Sequence, residues 1–139
     1  MSRITYNADS LKVMTLFEKI TRTRVKDYFI DSNNLMNFVV PQEMLGKAIG
    51  KHAANVRKME SMLKKKVRII GFTESEAEFA KNLIHPLRAE VEFKEGVITM
   101  KADDTRTKAF LIGRNQSNIK NNLDIMRKYF KDVQDLKVI

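Results

Sequence analysis

The chain has 139 residues, 43% hydrophobic and 31% charged, with a formal net charge of +9, which describes a soluble globular protein of one ordinary domain or two small ones. The absence of cysteine excludes disulfides and thiolate–zinc sites, and no apolar run is long enough to cross a bilayer. The stretch from Met1 to Ser10 lacks the apolar core of a signal peptide, so a cytoplasmic location is expected.

The charge is unevenly shared. Residues 1–72 hold 14 Lys/Arg against 6 Asp/Glu, and residues 73–139 hold 12 against 11. A strongly basic half fits either a solvated surface or a polyanion partner, because clustered Lys/Arg gain affinity by releasing counterions from phosphates.

Taken in order, residues 8–20 predict a helix capped by Asp9 or Ser10, with Leu11, Met14, Phe17 (or Leu16) and Ile20 at helical spacing. A strand is expected from Thr21 through Val25 to Ile30. Asp31-Ser-Asn-Asn34 reads as a turn, and a returning strand runs from Leu35 to Val40. Pro41 suits the first turn of a short helix reaching Ile49, where its missing N–H costs nothing. A helix over about 54–65 places Val56, Met59 and Leu63 on one face, and Lys66 to Phe72 is a strand. The second half repeats this αββααβ order. A helix from Glu74 to Ile84 stops at His85-Pro86. A hairpin of Leu87–Phe93 and Val97–Lys101 turns at Lys94-Glu95-Gly96. A short helix capped by Asp103 or Asp104 ends at Ile112. A helix over about 117–130 presents Ile119, Leu123, Met126 and Phe130, and Leu136 to Ile139 closes the chain. The join near 72–74 lacks linker composition, so two close units are expected, 1–72 and 73–139.

Within this order one stretch recurs. Ile49-Gly50-Lys51-His52-Ala53-Ala54-Asn55-Val56 returns 63 residues later as Ile112-Gly113-Arg114-Asn115-Gln116-Ser117-Asn118-Ile119. Both copies share isoleucine, glycine, a basic residue, asparagine and a β-branched apolar residue, between two expected helices. A glycine there lets a phosphodiester backbone come close, and the following helix aims N–H groups at the same place. It is also a common helix stop. Lys51 and Arg114 add charge at the loop tips; Asn55 and Asn118 either contact nucleic acid or cap the second helix.

The pattern resembles the signature loop of KH domains, which clamps about four single-stranded nucleotides. In both copies the family's second glycine is replaced, by Ala53 and Gln116. If that position has a positive φ, a non-glycine residue costs about 1–2 kcal/mol; if it already belongs to the helix, the change is nearly free. The first loop also has Gly46 and Lys47 beside it, where the second has Ala109 in place of Gly46, so the first is the stronger candidate. Over roughly residues 3–139, Phe38-Val-Val-Pro41, Gly46-Lys-Ala-Ile-Gly-Lys51, Ala54-Asn55-Val56, Lys65-Lys66-Val67, Ile112-Gly113-Arg114-Asn115 and Asn118-Ile119 look like the archaeal NusA-like transcription factors. That resemblance implies an α+β fold of two tandem type II KH domains, each with helices on a three-stranded mixed sheet. It implies binding of single-stranded RNA through Gly46, Lys47, Gly50, Lys51, His52, Ala53, Asn55, Gly113, Arg114, Asn115, Gln116 and Asn118. It further implies a role in transcription termination or antitermination, with RNA polymerase as a further partner.

A KH-type protein of ribosome assembly or RNA processing, and a binder of single-stranded DNA, stay open on the same residues. Gly46-Lys-Ala-Ile-Gly50-Lys51-His52 is not a nucleotide-binding P-loop: it is one residue short between its glycines, and His52 stands where magnesium needs Ser or Thr. No catalytic constellation, metal-ligand cluster, cofactor motif or small-molecule site is expected.

Overall fold

The computed structural model describes residues 7–139, so the first six residues of the expected first unit lie outside the described residues. Backbone contacts divide the chain between Phe72 and Thr73 into two compact units.

In the first unit, helix α1 (Ala8–Thr21) is capped by Asn7, whose side chain accepts the Ser10 N–H at 2.8 Å. The cap therefore falls just before the predicted Asp9 or Ser10. Its inner face is Val13, Met14, Phe17 and Ile20, while Leu11 stays exposed. Strand β1 (Asp27–Ile30) starts six residues later than Thr21 predicts. Arg22 turns left-handed to end the helix, the Thr21 hydroxyl returns to the Phe17 carbonyl at 2.9 Å, and it meets the Thr23 hydroxyl at 2.7 Å. Those local bonds claim the segment for the helix end.

Strand β2 (Met36–Pro41) is central: antiparallel to β1, with Phe38 opposite Tyr28, and parallel to β3 (Val67–Phe72), with Phe38 opposite Ile69. Pro41 ends this ladder and does not open the helix. A 3-10 turn (Gln42–Met44) precedes helix α2 (Leu45–Ile49), and helix α3 (Ala54–Leu63) follows the loop. Phe17, Phe38 and Met59 are fully buried, and the Phe38 ring stacks on Phe17 at 4.3 Å and on Tyr28 at 5.0 Å.

The β1–β2 turn is held from inside. One Asp31 carboxylate oxygen accepts the Asn33 and Leu35 N–H groups at 2.9 and 3.1 Å; the other accepts Asn37 Nδ2 and Arg68 Nη2, both at 2.9 Å. Arg68 Nε donates to Asn37 Oδ1 at 2.7 Å, so the turn, β2 and β3 share one polar cluster. Asn34 takes the left-handed conformation expected of such a turn.

The second unit repeats the order. Helix α4 (Glu76–Ile84) is capped by Ser75; strands β4 (Glu90–Lys94) and β5 (Val97–Lys101) form an antiparallel hairpin, and β6 (Asp135–Val138) pairs parallel to β5. Glu95 and Gly96 are both left-handed, as a tight hairpin turn requires. Helix α5 (Thr105–Ile112) is capped by Asp104, which accepts the Thr107 N–H at 2.7 Å. That bond holds the Asp104 carboxyl below the usual carboxylate range, so the charged cap is present above the ordinary aspartate pKa and is lost as pH falls through the lowered one. Helix α6 (Ser117–Tyr129) buries Asn121, Asn122, Ile125 and Met126; the predicted Ile119 and Leu123 are only half-buried. Phe79 anchors the core against Tyr129 and Phe130, with ring centroids 5.4 and 5.5 Å away.

Each unit is thus α+β, a three-stranded mixed sheet with helices, and is compatible with a KH-like fold. No described helix is long and apolar enough to cross a membrane.

Candidate nucleic-acid interface

The two loops have nearly the same backbone. Gly50 lies at φ +79°, ψ 166° and Gly113 at φ +75°, ψ 171°. Two left-handed residues complete each turn: His52 and Ala53 at φ +55° and +59°, Asn115 and Gln116 at φ +54° and +62°. Each glycine closes the helix before it, Gly50 N–H reaching Gly46 O at 3.0 Å and Gly113 N–H reaching Ala109 O at 2.9 Å. The main chain turns back once more, with Ala53 N–H on Gly50 O at 3.1 Å and Gln116 N–H on Gly113 O at 3.3 Å.

The asparagine after each loop braces the loop's other side. Asn55 Nδ2 donates to the Lys47 and Ala48 carbonyls at 3.2 and 3.1 Å, and Asn118 Nδ2 to the Phe110 carbonyl at 2.6 Å. These are carbonyls that a helix C-terminus leaves without an intrahelical partner. The side chains also fill the space where a glycine Cβ would point. At Gly50 that atom would sit 3.0 Å from Asn55 Nδ2, and at Gly113 it would sit 2.8 Å from both Cγ and N of Asn118. Glycine is therefore required by the loop's own packing as well as by its positive φ.

Of the two alternatives for the replaced second glycine, the strained one holds, since Ala53 and Gln116 both have positive φ. Ala53→Gly should therefore stabilise the first unit by about 1 kcal/mol, raising its thermal midpoint by about 4–8 °C. Calorimetry checks this; an unchanged or lower midpoint would mean the free loop does not hold this turn.

Lys47, Lys51 and His52 in the first loop, and Arg114, Asn115 and Gln116 in the second, are all exposed, whereas Asn55 and Asn118 are half-buried. Gly46 is exposed, with nothing within 4 Å of where a Cβ would stand, so it leaves open surface beside Lys47. Each loop therefore offers a cation at its tip, a glycine turn, and a small or basic residue one helical turn earlier. Among the described residues, no group of three or more His, Cys, Asp or Glu side chains is placed to hold a metal.

Two features beside the loops escape motif reading. The Arg57 guanidinium folds back onto the His52 carbonyl, adding a second cation to the first loop and tethering it. In the second unit Arg106, Ala109, Phe110, Gly113, Arg114 and Asn118 line one open groove, and Phe110 is 56% exposed. The only signal for either is column by column. Lys120 stands opposite Arg57, and Phe110 stands opposite Lys47.

No protein-family model matches the chain. A Methanococcus vannielii protein named probable transcription termination protein NusA is 29% identical over 141 residues, covering 99% of this chain and 80% of that protein. Its namesake from Methanocaldococcus jannaschii is 23% identical over 143 residues, covering 100% of this chain and 77% of that protein. The crystal structure of APE1850 matches with a TM-score of 0.72 at 21% identity, covering 96% of this chain and all of that one, so the two share a fold. The likeness read from the loops thus extends across both units, and the chain is similar to archaeal NusA proteins throughout.

Proposed function

We propose that this NusA-like chain is a single-stranded RNA-binding protein of transcription termination or antitermination, built from two tandem type II KH domains, residues 1–72 and 73–139. The observation that carries the reading is the duplicated turn: Gly50–Ala53 and Gly113–Gln116 share one backbone conformation and each exposes a cation, Lys51 or Arg114, in front of a helix. Such a turn suits the sugar–phosphate chain of an unpaired strand, with the bases turned to neighbouring side chains for stacking or edge hydrogen bonds. The function is binding without catalysis and without a cofactor, in the cytoplasm. RNA polymerase is the protein partner that goes with this role in transcription termination, the process that the names of the two relatives state.

Single-stranded RNA should bind more tightly than duplex RNA of the same sequence, and affinity should fall steeply with salt. Equal affinity for duplex, or affinity flat from 50 to 200 mM salt, would sink the reading; those concentrations are roughly the span over which counterion release is measured. Replacing Lys51 and His52 together by Asp puts two negative charges where phosphate sits, on exposed side chains. RNA affinity is expected to drop by at least about tenfold, or about 1.4 kcal/mol. Anisotropy titration measures it, with circular dichroism confirming the fold.

A further inference from the structure

We infer that Phe110 is a base-stacking residue, and that it gives the second loop a platform for a nucleobase where the first is chiefly a phosphate clamp. The inference rests on the RNA-binding reading and assigns a ligand group to one part of that surface: an unstacked nucleobase against the Phe110 ring, with its flanking phosphates on Arg106 and Arg114.

Five large apolar side chains are exposed among the described residues: Leu11, Ile30, Met62, Phe110 and Ile139. Exposed apolar side chains scattered singly need no explanation. Phe110 differs in kind and in place. It is the only aromatic of the five and the most exposed. Arg106 lies one helical turn before it, at the i−4 position that shares its face of α5, and Arg114 follows it by four residues, just past the turn at Gly113. The groove is also lined by Ala109 and Gly113, two residues too small to cover the ring. The Phe110 carbonyl is itself held by Asn118, so the backbone that carries the ring is fixed to the loop.

Two arginines beside a bare ring select the occupant. A flat, π-faced group with negative charge on either side of it fits both, and a nucleotide within a strand is that group. An apolar protein segment would satisfy the ring but bring no anion to Arg114 or to Arg106, whose nearest acidic neighbour is its own helix cap, Asp104. The first loop has no counterpart to the ring, since Lys47 stands in that column and adds only charge.

Three measurements test this on the full chain with a single-stranded RNA oligonucleotide. Phe110→Ala should weaken binding about tenfold while leaving the dependence on salt unchanged, because stacking releases no counterion. Arg114→Ala should instead reduce the salt slope by about 0.7, the increment for one phosphate on a single strand. Phe110→Trp should keep affinity, and its fluorescence should be quenched on binding; the chain has no other tryptophan, so the signal is unambiguous. If wild-type protein binds RNA but Phe110→Ala binds equally well, or the Phe110→Trp signal does not respond, stacking is overturned while the RNA-binding reading stands. If wild-type protein binds no RNA, the reading beneath it fails first.

Discussion

Phe38→Ala should cost the first unit about 3–5 kcal/mol, the range for removing a fully buried phenylalanine ring. Phe38 has no exposed surface, sits on the central strand, and is stacked between Phe17 of α1 and Tyr28 of β1. Its loss opens a cavity bordered by the Phe17 and Tyr28 rings, from two different elements, which cannot both collapse inward without disturbing the β1–β2 register and the seat of α1. A domain this small has about 3–10 kcal/mol of stability in total. The variant is therefore expected to unfold at or near room temperature in residues 7–72. Urea titration followed by circular dichroism, with amide exchange resolving β1 to β3, measures it. A loss under about 1 kcal/mol would show that this ring is not central to the core.

Asp31→Ala ranks second, at about 3–5 kcal/mol, the range for breaking a buried ion pair from one side. The Asp31 side chain is 1% exposed and bridges to Arg68, which is 18% exposed. Burial pushes the Arg68 guanidinium below its ordinary value, and the Asp31 carboxylate pulls it back up. Removing Asp31 leaves that cation without this carboxylate and also strips the turn of its acceptor for the Asn33 and Leu35 N–H groups. Arg68→Ala should cost less, because the carboxylate keeps its bonds from Asn33, Leu35 and Asn37. In a double-mutant cycle the double variant should lie well below the sum of the singles, by about 0.5–3 kcal/mol. Strict additivity would show that the pair does not couple.

The repeated order of elements is legible because the glycine turn and the amphipathic stripes on either side of it occur in the same sequence twice. The loops were legible for the same reason. What escaped the reading depends on bonds between side chain and main chain, which periodicity does not register. Thr21 and Thr23 look like strand residues, yet their hydroxyls bond locally and hold the segment at the helix end. Asn55 and Asn118 reach back eight residues to helix-end carbonyls, a distance no repeat pattern marks. The buried face of α6 carries Asn121 and Asn122, so counting apolar residues rotates the stripe away from its true position. Phe110 is invisible to a repeat pattern because such a pattern consists of the columns that match between the copies, whereas the difference between the loops lies in a column that does not match.

The parallel pairing of β2 with β3 has a consequence in time. The β1–β2 hairpin is local, but β3 returns to β2 from 31 residues away, and α2, the first loop and α3 all lie on the connection between them. A parallel pair needs such a crossover, and the entropy of closing it is met only when the last strand docks. During synthesis the Gly50 turn therefore leaves the ribosome well before the sheet that supports it can be completed. A nascent chain ending at Lys66 carries every residue of its first loop but lacks β3, and its capacity to bind should arrive as a step when residues 67–72 emerge.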